Sequence, residues 1–385
     1  MKILLTGEYS RLHNSLKEGL EALDSGIRAH VLAAGDDFKA YPADWPVRAQ
    51  ILRGPRWRWL RQGLYRTAGF DPARLERAWR LKKILPALRN YDVVQLINPY
   101  PFETPLPLEK RFIRRLLSRN GRAFLLASGD DPVVNRYYLE HPEPYNIFTP
   151  MRQNPTLEPY FRYSLKYLKP SFIRWHEELL RQVNGVIPTD LDYAVPYEGH
   201  PRALPMIPNP VNTDRLRYRF PSTDGPIVIF HGINRGNYWR KGNAWFSEAL
   251  ETVRRRYGDR VEVVEVRNVP YAQYIRLMEK AHIVLDQVFS WDQGYNALEA
   301  MAMGKVVFTG AERIFRDYYR LTEEVNINAL PDAQYLADRL SELIESPGRL
   351  VRISEAARRF IERHHDYRLI ARRYLETWQS AGTAR

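Results

Sequence analysis

Three short pieces between residues 230 and 304 of this 385-residue chain carry groups suited to gripping an anion. Phe230-His231-Gly232-Ile233-Asn234-Arg235 reads as a strand running into a loop, and Arg240-Lys241-Gly242 follows in the same loop. Arginine forks onto phosphate oxygens and lysine acts as a point charge. The third piece, Gly294-Tyr295-Asn296-Ala297-Leu298-Glu299-Ala300-Met301-Ala302-Met303-Gly304, reads as a glycine turn opening a helix. Gly294 lets the backbone come close to a ligand, and the N–H groups of Tyr295, Asn296 and Ala297 point out of the helix start as a ready anion cradle. Glu299 stands one turn further in, between Leu298, Ala300 and Met301, where an acid is costly unless it has a partner or a task. Singly, Arg235 and Lys241 read as surface charges and Gly304 as a helix cap. Their order and spacing favour one shared site.

With Ile207-Pro208-Asn209-Pro210-Val211-Asn212 leading into them, and Lys305-Val306-Val307 closing them, these pieces resemble the retaining glycosyltransferases of the group 1, or glycogen-synthase-like, family. That family shows I-P-N-G-V-D, then an Arg and a Lys-Gly in one loop, then G-(four residues)-E-A-M-A-x-G-x-P-V-V. The resemblance covers about the last 180 residues; before that it rests on a strand–helix rhythm. It implies a GT-B architecture: an α/β chain of two Rossmann-like, doubly wound domains facing a cleft, with a C-terminal helix crossing back to the first. The expected boundaries are 1–205 for an acceptor domain, 206–365 for a donor domain and 366–385 for the returning helix. The resemblance also implies a nucleoside-diphosphate sugar as donor, Arg235 and Lys241 on its phosphates, and Glu299 on its ribose hydroxyls. No metal and no cofactor are implied, because fixed cations and amides can stabilise the leaving diphosphate. Nor is a side-chain base required, since in the mechanism favoured for this family the leaving phosphate takes the acceptor's proton.

The departures bear on the sugar. A second acid is usual eight residues before the conserved Glu, and Trp291 stands there. Asp292 or Asp286 could replace it, or Trp291 could stack on a sugar face. In the first half, Gly7-Glu8-Tyr9-Ser10-Arg11-Leu12-His13 follows the first strand, where the family has a glycine-rich loop. Gly7, Arg11 and His13 are loop candidates for meeting donor or acceptor, with a bland first-turn role weighed slightly ahead for His13. Tyr100 lies on the next such loop. Asp130, in Ser128-Gly129-Asp130-Asp131, is a catalytic candidate beside the donor sugar, and equally reads as a turn acid capping the next segment.

These residues need a scaffold. Apolar runs predict strands at Lys2–Thr6, Ile27–Ala33, Asp92–Ile97, Ala123–Ala127 and Gly185–Pro188. Helices are expected from Ser10, at Glu109–Arg119 and at Phe172–Val183. After Pro196, Pro201, Pro205, Pro208 and Pro210 a second alternation begins. It has strands at Pro226–His231, Val261–Val266, Ile283–Gln287 and Val306–Thr309, and helices at Asn243–Tyr257, Tyr271–Lys280 and Asn296–Met303. Helices at Ala333–Glu345, Leu350–Arg363 and Leu369–Gln379 close the chain, the last burying Leu369, Ile370 and Tyr374. Two successive alternating blocks argue for two parallel sheets.

There is no cysteine, which removes disulfides, thiolate metal sites and cysteine nucleophiles. His364 and His365 lack partners at ligand spacing, so a structural or exposed role is expected. The start has too short an apolar run for a signal peptide, and no stretch reaches the roughly 18 apolar residues of a spanning helix. A cytoplasmic protein is expected, peripheral at the inner face of the membrane. The formal net charge is +13. Residues 51–90 hold eleven Arg or Lys against Asp71 and Glu76. Within them Arg53, Arg56, Trp57, Arg58, Trp59 and Arg61 interleave rings and guanidinium groups in the manner of a membrane interface. Besides the nucleotide sugar and an unknown sugar acceptor, an anionic membrane surface is therefore a candidate partner, and nucleic acid is not expected. Two alternatives stand beside the transferase: a degenerate GT-B protein that binds glycan or membrane without catalysis, and a sugar-nucleotide epimerase.

Overall fold

The computed structural model describes residues 1–35, 39–57, 59, 61, 63, 64, 67 and 70–381. Arg58 lies outside them. Two sheets organise the chain, and every strand pairing in them is parallel. The first has the order β3-β2-β1-β4-β5-β6, with β1 Lys2–Thr6, β2 Arg28–Ala33, β3 Trp45–Pro46, β4 Val93–Leu96, β5 Arg122–Ala127 and β6 Gly185–Pro188. The second has the order β11-β10-β9-β7-β8, with β7 Ile227–Ile233, β8 Val261–Arg267, β9 Ile283–Leu285, β10 Val306–Thr309 and β11 Ile327–Asn328. The strands β9 and β10 are buried on both faces, which is why they read as nearly unbroken apolar runs. The edge strand β8 has no fully buried residue and exposes Glu262, Glu265 and Arg267.

Strand order reverses between β1 and β4 in one sheet and between β7 and β9 in the other. Open α/β sheets bind ligands beyond the carboxyl ends of their strands at such a switch point. The loop after β7 holds Arg235 and Lys241, and the loop after β9 holds Asp286 to Gly294, so the sequence motifs fall at the second sheet's switch point.

The final helix, Tyr367–Ser380, does cross back. It packs on the Leu12–Leu23 helix so closely that a Cβ on Gly19 would stand 2.2 Å from the Tyr367 carbonyl oxygen. Ile370, Tyr374 and Trp378 are fully buried there. Arg122, entering β5, donates to the carbonyl of Gln379 at 2.7 Å. Leu369 is a correction: it is 38 % exposed, because burial at Ile370, Tyr374 and Trp378 sets a four-residue stripe that leaves its neighbour facing out.

Other differences concern the first sheet's surroundings. Helices at Ala73–Ile84, Pro132–Glu140, Thr149–Gln153 and Glu158–Leu165 were not expected. Short length, proline starts and irregular apolar spacing hide the last three from a periodicity reading. The helix read from Glu109 begins at Leu106, with Pro107 in its first turn. Ser10 is not the cap of the first helix. Arg11 takes that place in a left-handed conformation, φ 76°, while Glu8 accepts the free amides.

Candidate functional site

Glu299 lies in the Tyr295–Ala302 helix and is 1 % exposed. The Tyr271 hydroxyl donates to its Oε1, and among the described residues its buried Oε2 has no hydrogen-bond partner. Burial pushes its carboxyl up to about 7, against the pull of Tyr271 and of Arg11. A buried acceptor left open in this way costs on the order of 1–3 kcal/mol. It marks a place where hydroxyl donors would be welcome.

Lys241 stands next to this acid's helix. Its Nζ donates to Asp286 Oδ1 at 2.6 Å, and Asp286 follows β9. Gly242, the next residue, has φ 70°, and a Cβ there would meet Val288 at 2.7 Å, so glycine is needed both for the turn and for the approach of the β9 loop. Gly294 sits against Asp286, its imagined Cβ 3.2 Å from the Oδ2 atom. The pair Lys241–Asp286 thus lies at the mouth of the helix whose first residues are Tyr295, Asn296 and Ala297. One pocket collects Lys241, Asn296, Tyr271, Gly232, Asn234 and Asn268 of the second lobe with Lys39 and Tyr41 of the first.

Arg235 is exposed at the rim. Its amide donates to Asn268 Oδ1 at 3.0 Å, and it does not line that pocket. The neighbouring Arg240 instead reaches across the cleft and forks onto Asp130, at 2.8 and 3.3 Å. The sequence reading passed over Arg240, although it sits in the quoted Arg-Lys-Gly piece. It also missed Tyr271, whose contact with Glu299 spans 28 residues and leaves no local signal.

Tyr295 supplies more than an amide. Its hydroxyl lies 2.7 Å from Ser15 Oγ and donates to the Pro210 carbonyl at 2.8 Å, joining both lobes to the crossing segment. Asp292 is 2 % exposed, and its carboxylate accepts from the backbone amides of Leu191 and Gln293, at 3.0 and 2.7 Å. That is a turn-holding role at the lobe boundary, and burial pushes the carboxyl up to about 7. Trp291 does not offer its ring to a sugar here. Its indole N–H donates to the Tyr145 carbonyl at 3.0 Å and its face packs edge-on with Tyr138. Of the two acids that could replace the missing one, Asp286 is paired with Lys241, which lines the pocket, and Asp292 is taken up by the amides of Leu191 and Gln293.

In the first lobe the loop candidates turn inward. Gly7 has φ 86°, and a Cβ would strike Ile97 at 2.2 Å. His13 is fully buried. Its Nδ1–H donates to the Gly7 carbonyl at 2.7 Å and its Nε2 accepts from Gln95 at 3.1 Å, so the ring is neutral, and burial lowers its pKa to about 4. Arg11 is 3 % exposed and forks onto Glu18, with a 2.6 Å contact; Glu18 also accepts from Asn212 of the second lobe at 2.7 Å. Tyr100 is a correction. Its hydroxyl is spent on the Thr104 carbonyl, and its ring lies against Phe172, leaving 1 % exposed. The proline-rich Asn98–Pro105 loop folds over it.

Among the described residues, no group of His, Cys, Asp or Glu could hold a metal ion. His365 Nδ1 donates to the Asn209 carbonyl at 2.9 Å, and His364 packs on Tyr319 and Phe360. No helix among the described residues is long and apolar enough to cross a membrane.

Residues 235–376 match a family described as glycosyl transferase-like. Solved structures align over nearly the whole length. Sucrose-phosphate synthase from Thermosynechococcus elongatus matches with TM-score 0.60 and 14 % identity over 98 % of this chain and 98 % of that one. HepE from Anabaena, in complex with UDP and glucose, gives 0.58 and 14 % over 99 % and 100 %. The whole chain has the GT-B fold. A UDP-GlcNAc 2-epimerase from Neisseria meningitidis, bound to UDP-GlcNAc, shares it with TM-score 0.53 and 12 % identity over 98 % and 100 %. No curated protein sequence matches the chain. Seen as a GT-B protein, the chain has its open carboxylate and its Lys241 pocket on the second lobe, facing the first across the cleft.

Proposed function

We propose that this GT-B protein moves a sugar from a nucleoside-diphosphate sugar to an acceptor hydroxyl, with retention of configuration and with neither metal nor cofactor. The observation that carries the reading is Glu299: a buried acid with one unpartnered oxygen, on a helix whose start adjoins Lys241. The ribose hydroxyls satisfy Glu299. Lys241 turns from Asp286 to the diphosphate, the amides of Asn296 and Ala297 join it, and rim-side Arg235 folds over the same oxygens. As the bond to the anomeric carbon breaks, these fixed charges stabilise the leaving phosphate, which takes the acceptor's proton. Asp286 offers an acid where the family's second one is missing. The acceptor enters over the first sheet's strand ends beside Asp130. Neighbours solved with UDP and with UDP-glucose favour uridine as the base. Exposed Ile51, Trp57, Trp59 and Trp79 on the Arg-rich stretch favour an acceptor presented at an anionic membrane.

The test is thermal stabilisation by UDP and GDP, followed by release of nucleotide from a panel of sugar nucleotides. UDP should raise the melting temperature, and Glu299→Ala should abolish the rise. No shift with any nucleoside diphosphate would sink the proposal. Packing of Trp291 into the first lobe supports a second reading, a chain that binds without catalysis. In that case nucleotide binding persists, but no donor is cleaved with any acceptor. An epimerase would instead convert its donor with no acceptor present.

A further inference from the structure

A second pocket, of about 310 Å³, shares no lining residue with the Lys241 pocket and lies where the chain crosses twice between the lobes. The two crossings run side by side: Val211 donates to the His365 carbonyl at 2.7 Å, and Tyr367 donates back to Val211 at 3.0 Å. Pro208 of the first crossing and His364 of the second line the pocket, together with Tyr318 and three arginines: Arg320, Arg363 and Arg373.

Its charge is one-sided. Among the described residues no carboxylate lines it. Among the described residues the guanidinium groups of Arg320 and Arg363 are neither ion-paired nor hydrogen-bonded, and both side chains are exposed. Among the described residues Arg373 donates only to the Met206 carbonyl, at 2.8 Å. Two helices end here, Arg313–Tyr319 and Pro347–His364, and their C-termini carry roughly half a negative charge each. The start of the Tyr367–Ser380 helix returns about half a positive charge. Three guanidinium charges therefore remain well in excess. Arg320 also holds a left-handed conformation, φ 52°, uncommon for a residue with a side chain.

We propose that this pocket binds a phosphate group, carried by a soluble metabolite or by a lipid headgroup. Arg320 and Arg363 fork onto its oxygens, Arg373 adds a third cation, and Tyr318 flanks whatever the phosphate is attached to. The bound group ties the end of the Arg313–Tyr319 helix to both crossings, so it fixes the angle between the lobes. This site is independent of the donor reading.

The test compares the protein with R320A/R363A, both in a Lys241→Ala background that weakens phosphate binding at the donor pocket. Thermal melting is followed in inorganic phosphate against chloride of equal ionic strength, and sedimentation is followed with phosphatidylglycerol and phosphatidylcholine vesicles. Phosphate should raise the melting temperature by about 1–3 °C near tenfold saturation and slow amide exchange at residues 207–211 and 364–367. R320A/R363A should lose both effects. A response confined to soluble phosphate identifies a metabolite. A variant-sensitive response confined to phosphatidylglycerol identifies a lipid. No response to either, or the same response in R320A/R363A, overturns the proposal.

Discussion

Two buried glutamates face the cleft from opposite lobes, and their surroundings differ in kind. Glu8, after β1, is saturated: Oε1 accepts from the amides of Ser10 and Arg11, and Oε2 from the amide and side chain of Asn14. Glu299, in the second lobe, has one partner and one open oxygen. Burial raises the pKa of both. The first acid folds a loop, and the second is left incomplete. At Glu299 polar capacity is left open among the described residues. In the first lobe, Glu8, His13, Arg11 and Tyr100 close on their own lobe or its boundary. A buried polar group that the protein fully satisfies is structure, and one that it leaves unsatisfied is a candidate for function.

Replacing each glutamate tests that contrast most sharply. Glu299→Ala should weaken UDP binding at least about 100-fold, since hydrogen bonds to a charged acceptor are worth roughly 1.5–3 kcal/mol each; isothermal titration reads this directly. Glu8→Gln should leave the site's chemistry alone but place an amide N–H₂ against two donors. A loss of about 2–4 kcal/mol of folding stability is expected by denaturant unfolding. Similar behaviour of the two variants would break the comparison.

The next effect is on pH dependence. A folded-state carboxyl raised to about 7 holds a proton that the unfolded chain, near 4.5, has already lost. Its contribution to stability is therefore greatest below about 4.5 and is lost as pH rises towards and through 7. Glu299→Gln removes that loss, so it should melt higher than the unsubstituted protein at pH 8, with little difference at pH 5, while still failing to bind UDP. Lys241→Ala should weaken UDP about 10- to 100-fold and also lower stability, because Asp286 loses its partner. Arg235→Ala should weaken UDP less than Lys241→Ala and leave stability unchanged, as expected of an exposed rim residue. The smallest effect should come from the lobe-bridging pair. A double-mutant cycle on Arg240→Ala and Asp130→Ala should give a coupling of about 1 kcal/mol, the pair being partly exposed.

Much of this was legible from residue order. The apolar runs at β1, β9 and β10 mark strands of a parallel sheet, because burial on both faces favours apolar side chains; β4 reads the same way apart from Gln95, which bonds His13. Gly294 and Glu299 could be singled out because a glycine opening a helix and an acid inside an apolar helix each conflict with their local surroundings. The helices between residues 132 and 165 were not legible, being short and begun by prolines that also read as turns. Their place is set by tertiary contacts such as Asn135 Nδ2 donating to the Ser164 carbonyl and the Tyr138 hydroxyl donating to the Asp192 carbonyl.

What the sequence determined, then, is what local physics enforces: two parallel sheets, the loops that end β7 and β9, and an acid that must answer for its burial. Only the tertiary structure decided which charges meet. Arg240 reaches Asp130 across 110 residues of chain, Tyr271 reaches Glu299 across 28, and Tyr295 joins Ser15 across 280. Such contacts leave no periodicity and no spacing, because their energy depends on where the fold brings distant stretches of chain together, within one lobe for Tyr271 and Glu299 and between lobes for the other two.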